Sequence, residues 1–150
     1  MLPFLKMRNL LFAFALLLVL TNCKKDNEAP MPTVSENLTT GWRLSKYLRN
    51  GVDETSQLTI RNYEETYFGN ENYSRSYLDE NNLAKSETGK WKLKEDKVRI
   101  EISGVSSIKL TRTTGTVSSS YHDIAKLDGK ELWYIYFNSG DRHEFRLVRK

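Results

Sequence analysis

The chain has 150 residues, of which 28% are charged and 39% hydrophobic, a composition that fits one soluble globular domain of ordinary size. Its formal net charge is +4, but loss of an N-terminal leader carrying Lys6 and Arg8 takes the 23 basic residues to 21 against 19 acidic ones. With no basic stripe interleaved with aromatics, that near-neutral balance excludes nucleic acid as a partner.

Residues 1–22 read as a lipoprotein signal peptide. Lys6 and Arg8 precede the apolar run LLFAFALLLVL, and Thr21, Asn22 and Cys23 follow it, which is the basic, apolar, small-or-polar order of an export signal. Met7 serves equally well as the start, since MRNLLFAFALLLVLTNC is complete in itself. The run falls short of the ~20 apolar residues that span a membrane, so an uncleaved anchor is the weaker alternative. Cys23 is the single cysteine, too few for a disulfide framework. Leu20-Thr21-Asn22-Cys23 resembles the lipobox of bacterial lipoproteins, with Asn22 where Ala or Gly is usual. The resemblance implies acylation of Cys23, attachment to the membrane through it, and residence in the cell envelope as an outer-membrane lipoprotein, on either the periplasmic or the surface side. Each buried methylene contributes about 0.8 kcal/mol, so two or more chains make a permanent tether.

Residues 23–40 continue as a flexible tether. KKDNEAPMPTVSENL holds two of the three prolines and few large apolar residues, so it has no core of its own. Asp26 and Glu28 resemble the acidic signals that send some lipoproteins to the outer face, diluted here by Lys24 and Lys25.

From residue 41 to residue 150 the apolar period is two, the period of a strand with one wet and one buried face. A first strand is predicted over 42–49. The next pair comes from YEETYFGNENYSRSY, residues 63–77, which nearly mirrors itself about a Gly/Asn-rich centre. As a hairpin it sets Tyr67 against Tyr73, Glu65 against Arg75 and Tyr63 against Tyr77 on one face. The opposite face carries Glu64, Thr66 and Phe68 against Ser74, Ser76 and Leu78, mixed and mostly polar. If the tyrosine face points outward it is a cross-strand ladder and nothing more. If it points inward, which the polarity of the other face favours, each phenol and charge needs a partner or a ligand. Tyr63, Glu65, Tyr67, Tyr73, Arg75 and Tyr77 are then the candidate ligand-binding residues, with a Glu65–Arg75 ion pair orienting a polar head group against an aromatic wall.

Trp91 and Leu93 alternate with lysines, as do Val98, Ile100 and Ile102 with Lys97, Arg99 and Glu101. A two-residue Glu95-Asp96 turn would set Leu93 against Val98 and Trp91 against Ile100. A further strand is predicted over 107–113. Asp128-Gly129 reads as a type I′ turn pairing Ala125 with Leu132 and Ile124 with Trp133. A final turn at 138–141 pairs Tyr134 with Phe145 and Leu132 with Leu147, an inner face. Trp133, Ile135 and Phe137 then lie outside with Ile124. Such a patch calls for a covering segment, with residues 34–38 as one choice, or for an envelope protein that docks there.

About nine short strands, hairpin-sized connections and no crossover helix give an all-β fold. It is an antiparallel up-and-down β-barrel, or else a sandwich. GWRLSKYLRNG (41–51), TGKWKLKEDKVRI (88–100) and EFRLVRK (144–150) resemble the lipocalin-like domains of small bacterial lipoproteins. The resemblance implies an eight-stranded barrel that binds a small apolar or amphipathic ligand, with Arg146 or Arg149 packed across Trp42 at the closed end. In this sequence Gly41 and Trp42 are adjacent, where lipocalins proper have one residue between them.

No catalytic constellation is read. In SSSYHD, residues 118–123, His122 and Asp123 fall on opposite faces of a strand, and neither histidine has metal-ligand spacing. No Gly-rich phosphate loop is present. The expectation is a non-enzymatic protein with no cofactor and no metal.

Overall fold

The computed structural model describes residues 33–95, 98–112, 116–117 and 120–150. The signal peptide, Cys23 and the tether as far as residue 32 lie outside the described residues. The last part of the expected tether is built into the fold. Thr33 caps a one-turn helix, α1 (Val34–Leu38): its Oγ1 accepts from Glu36 N at 3.2 Å while Glu36 Oε2 accepts from Thr33 N at 2.6 Å. Leu38 is fully buried in the inner core, and its carbonyl accepts from the Trp42 indole Nε1 at 3.0 Å. This segment therefore fills the barrel rather than covering its outer face.

The strands are β1 (Gly41–Arg49), β2 (Val52–Asp53), β3 (Arg61–Tyr67), β4 (Asn72–Leu78), β5 (Ala84–Lys94), β6 (Arg99–Ser103), β7 (Ile108–Lys109), β8 (Thr116–Val117), β9 (Tyr121–Leu127), β10 (Glu131–Asn138) and β11 (Asp141–Arg149). The sheet runs β11-β10-β9-β6-β5-β4-β3-β1, every pair antiparallel, and β11 closes onto β1 from Trp42–Arg149 to Arg49–His143. This is the expected all-β up-and-down barrel of eight strands. Its closure excludes the sandwich and removes the free edges that invite aggregation. β2 extends the sheet beside β1, and among the described residues β7 pairs with β8 alone. The strand predicted over 107–113 is thus no stave of the barrel.

Register sets the interior in rows. Leu44, Leu147, Leu132 and Leu127 stand side by side across β1, β11, β10 and β9, and Tyr47, Phe145, Tyr134 and Ile124 form the next row. The β10–β11 hairpin has the predicted pairs, closed by Ser139 and Gly140 with φ of 51° and 88°. Asp128-Gly129 departs from prediction, since neither residue has positive φ. Asp128 Oδ1 instead accepts from the backbone N of Lys130 and of Glu131, each at 2.8 Å, and the wider turn sets Leu127 against Leu132. A bulge then pairs Ile124 with Tyr134, which turns Ile124 inward, away from Trp133.

The β5–β6 turn is also wider than predicted, pairing Leu93 with Ile100 and Trp91 with Ile102. A shift of two leaves the faces unchanged. The Glu95 carboxylate accepts from Arg99 Nη1 at 2.6 Å across this turn.

Arg149 is the cross-strand partner of Trp42, but among the described residues no arginine stands over the Trp42 ring in a cation–π contact. Arg146 lies over Trp133, with its guanidinium carbon 4.1 Å from the ring centroid, and Arg149 donates to the Gly129 carbonyl at 3.2 Å. Lys126 Nζ stands 4.9 Å from the same Trp133 ring. The outer tryptophan is therefore covered by the protein's own cations, and what remains of the patch is Phe137, 67% exposed, and half-buried Ile135.

After Ser103 the chain leaves the wall. Gly104 takes φ +80° and lies against Gly89, and a Cβ on Gly89 would meet the Ser103 carbonyl oxygen. Gly89→Ala is expected to cost about 2–3 kcal/mol, because backbone and not a flexible side chain must yield. Urea unfolding would check this, and a loss under about 0.5 kcal/mol would mean that strand and crossover are not in contact there.

Candidate functional site

Period two places Tyr63, Glu65 and Tyr67 on one face of β3, and all three are buried inside the barrel. Tyr73 and Arg75 face inward beside them from β4, in the predicted Tyr67–Tyr73 and Glu65–Arg75 register. A bulge near Asn62, whose φ is 51°, interrupts the ladder before Tyr63 and Tyr77, but their rings still lie 6.2 Å apart. The mirrored hairpin thus puts its tyrosine face inside.

Its charges do not pair as expected. Among the described residues Glu65 and Arg75 form no ion pair. Glu65 accepts three phenol hydrogens: Tyr63 at 2.5 Å, Tyr67 at 2.8 Å and, from β10 across the barrel, Tyr134 at 2.7 Å. Arg75 donates from Nε and Nη2 to Glu87 on β5, at 2.8 and 2.5 Å, and to the carbonyl of Ser106. Glu87 is the cross-strand partner of Arg75 on the other side, and it satisfies the guanidinium without taking Glu65 from its phenols.

Burial, reinforced by the charge of Glu65, pushes the phenols of Tyr63, Tyr67, Tyr73 and Tyr134 well above the usual value. His122, on β9, also points inward, while Asp123 faces outward to Arg99 at 2.5 Å. The imidazole stacks on Tyr134 with centroids 4.1 Å apart and on Tyr136 at 5.6 Å. Its Nδ1 is buried with no hydrogen-bond partner. His143, the other histidine, accepts or donates at Nδ1 with the Tyr47 hydroxyl at 2.8 Å.

Burial holds the His122 imidazole at about 4, against the attraction of Glu65. The folded value lies below the unfolded ~6.5, so the unfolded chain takes the proton first as pH falls. Stability from this group is complete above about pH 6.5 and is lost towards pH 4, about 3 kcal/mol in all. Urea midpoints at pH 7.5 and 4.5 are expected to converge in His122→Phe by most of that amount. An unchanged pH slope would remove His122 from the acid response.

These groups surround a cavity of about 30 Å³ lined by Tyr63, Tyr73, Arg75, His122, Tyr134 and Phe145, among others. That holds a water or two, far below the ~300 Å³ or more of a usual small-molecule site. The barrel mouth above it is filled by the crossover between β6 and β9. Val105, Ile108 and Leu110 from this segment line the cavity. It is tied down where Thr59 N donates to the Leu110 carbonyl at 2.7 Å and Thr59 Oγ1 to the Lys109 carbonyl at 2.8 Å.

Of the predicted site residues, Tyr63, Tyr73 and Arg75 reach the cavity, Glu65 and Tyr67 lie behind it, and Tyr77, half-buried on the same face, packs against Tyr63 and the core without lining the cavity. Sequence reasoning missed His122, Tyr136 and the crossover. His122 carried a signal in its place two residues from Ile124 on the same strand face, while the period of Ile108 and Leu110 points to a strand and not to a segment that fills the barrel mouth.

Strand order and closure define an eight-stranded up-and-down barrel. No family model and no curated protein matches the sequence. Among solved structures it matches a lipocalin-like protein from Bacteroides uniformis, at 17% identity over 73% of this chain and 97% of that one, with a TM-score of 0.46. It also matches japanin from Rhipicephalus appendiculatus bound to cholesterol, at 9% identity, 79% of each chain and a TM-score of 0.49. Lobster apocrustacyanin A1 matches at 14% identity over 76% of this chain and 61% of that one, TM-score 0.43.

Proposed function

We infer that this protein is a lipid-anchored component of the cell envelope whose barrel binds a small apolar or amphipathic molecule. The ligand reading rests on one observation: the aromatic interior ends in a buried, unpartnered imidazole nitrogen, and what closes it above is a crossover segment rather than a strand of the wall. Most buried polar atoms are hydrogen-bonded, so this nitrogen calls for a polar partner inside the barrel, a water or a ligand's polar group. Native mass spectrometry of the mature protein is expected to show a reproducible extra mass that disappears on denaturation. A bare mass, with no uptake of added amphiphiles, would leave a barrel filled by its own side chains.

The anchor rests on Leu20-Thr21-Asn22-Cys23 and the export signal before it. Cys23→Ala is expected to abolish acyl labelling and release the protein from membranes. Full membrane retention by that variant would end the lipoprotein reading.

A further inference from the structure

Arg75 is the cation on the cavity wall, and the way it is held defines what ligand the barrel takes, provided that the binding reading above is right. The cavity of about 30 Å³ cannot admit an amphiphile as it stands. Room can come from the wall or from the crossover. The wall is a closed hydrogen-bonded ladder, whereas residues 104–110 are held over the mouth by Thr59 and by the Arg75–Glu87 pair at Ser106. Moving the crossover out empties the space of the Val105, Ile108 and Leu110 side chains, and it is the smaller disruption.

That movement has a hydrogen-bond consequence. Ser106 takes its carbonyl away from Arg75, so a buried guanidinium loses an acceptor beside an imidazole Nδ1 that already has no partner. The phenol hydrogens of Tyr63 and Tyr134 are committed to Glu65, which sits behind those rings and does not line the cavity. The emptied site is thus apolar towards the mouth, with Arg75 still paired to Glu87 but lacking the acceptor that the Ser106 carbonyl supplied. A cationic head group would meet the guanidinium directly. A hydroxyl would supply a weak acceptor. A carboxylate supplies two charged oxygens in the geometry that a guanidinium binds best.

The geometry points to a carboxylate-bearing amphiphile as the ligand, its carboxylate on Arg75 in place of the Ser106 carbonyl and its apolar body in the volume left by Val105, Ile108 and Leu110.

The test uses the mature full chain in nanodiscs, with empty nanodiscs as the blank, titrated calorimetrically with 4-phenylbutyrate, 4-phenylbutanol and 4-phenylbutylamine. These probes share one apolar body and differ in head group. Phenylbutyrate is expected to bind at least about tenfold tighter than either of the others. Amide exchange over residues 104–110 is expected to rise when it binds. The double variant Arg75→Gln/Glu87→Gln, which keeps an uncharged hydrogen-bonded pair, is expected to lose the preference and keep its affinity for the alcohol. If that variant fails to fold, the probe series and the exchange data on the wild-type chain still decide. Equal affinities, or tightest binding of the amine, with exchange raised at 104–110, would overturn the carboxylate while leaving a ligand-binding barrel. Binding with unchanged exchange there would place the ligand outside the barrel and overturn the inference. No binding by any probe would remove both the inference and the reading it rests on.

Discussion

Replacing Glu65 by alanine is expected to cost about 3–5 kcal/mol, enough to bring a domain of ordinary stability close to unfolding. The carboxylate is fully buried and accepts from Tyr63, Tyr67 and Tyr134. Its loss leaves three buried hydroxyl donors, each costing about 1–3 kcal/mol when unsatisfied, and a cavity beside them. The gain from no longer desolvating a carboxylate offsets part of this, which is why the sum stays below the simple total. Glu65→Gln should be milder, about 1–2 kcal/mol, because the amide oxygen still accepts from two phenols and its NH₂ can donate to the third phenol oxygen. Adding Tyr134→Phe to the alanine variant should then cost less than it does in the wild type, a coupling of about 1 kcal/mol in a double-mutant cycle. Urea unfolding measures all four. Equal losses for alanine and glutamine, with no coupling to Tyr134, would mean that the phenols find other acceptors and that Glu65 does not organise the interior.

The two halves of this network differ in how far the sequence announces them. Tyr63, Tyr67, Tyr73 and Arg75 share a face because of period two and a short turn, and their inward direction follows from the polarity of Glu64, Thr66, Ser74 and Ser76 opposite. Both properties are local. The partner of Glu65 is not. Local pairing points to Arg75, its cross-strand neighbour, but barrel closure brings Tyr134 to it from β10, and Arg75 finds Glu87 on its other side. The same contrast separates the two C-terminal turns. Ser139 and Gly140 adopt the positive φ that a two-residue hairpin requires, while at Asp128 a side-chain acceptor for two backbone amides outcompetes the dipeptide's own preference. The crossover at 104–112 was least legible. Ile108 and Leu110 alternate as a strand does, but what buries them and Val105 is the mouth of a barrel formed by residues far away in the chain, not a place in its wall.

Alkali should unfold this protein steeply between about pH 10 and 12. Four phenols, those of Tyr63, Tyr67, Tyr73 and Tyr134, are raised well above the usual value, first by burial and then by the charge of Glu65. Tyr47 is pushed to about 12, again chiefly by burial. Their folded values lie above the ~10 of the unfolded chain, so the folded state keeps protons that the unfolded state gives up. The stability they provide is complete below pH 10 and is lost as pH rises past it, at about 1.4 kcal/mol per unit for each phenol. Four together remove about 5–6 kcal/mol by pH 11, which matches the whole stability of many small domains. Phenolate absorbance and far-ultraviolet circular dichroism, followed in one titration, should therefore change together and cooperatively for this buried set. Ionisation of the same phenols with the barrel signal intact would show that water already reaches them, and a wet interior could not hold Glu65 on phenol hydrogens alone. Tyr134→Phe should flatten the alkaline transition by one proton, because it removes one of these phenols and leaves the rest, buried Tyr136 among them, in place.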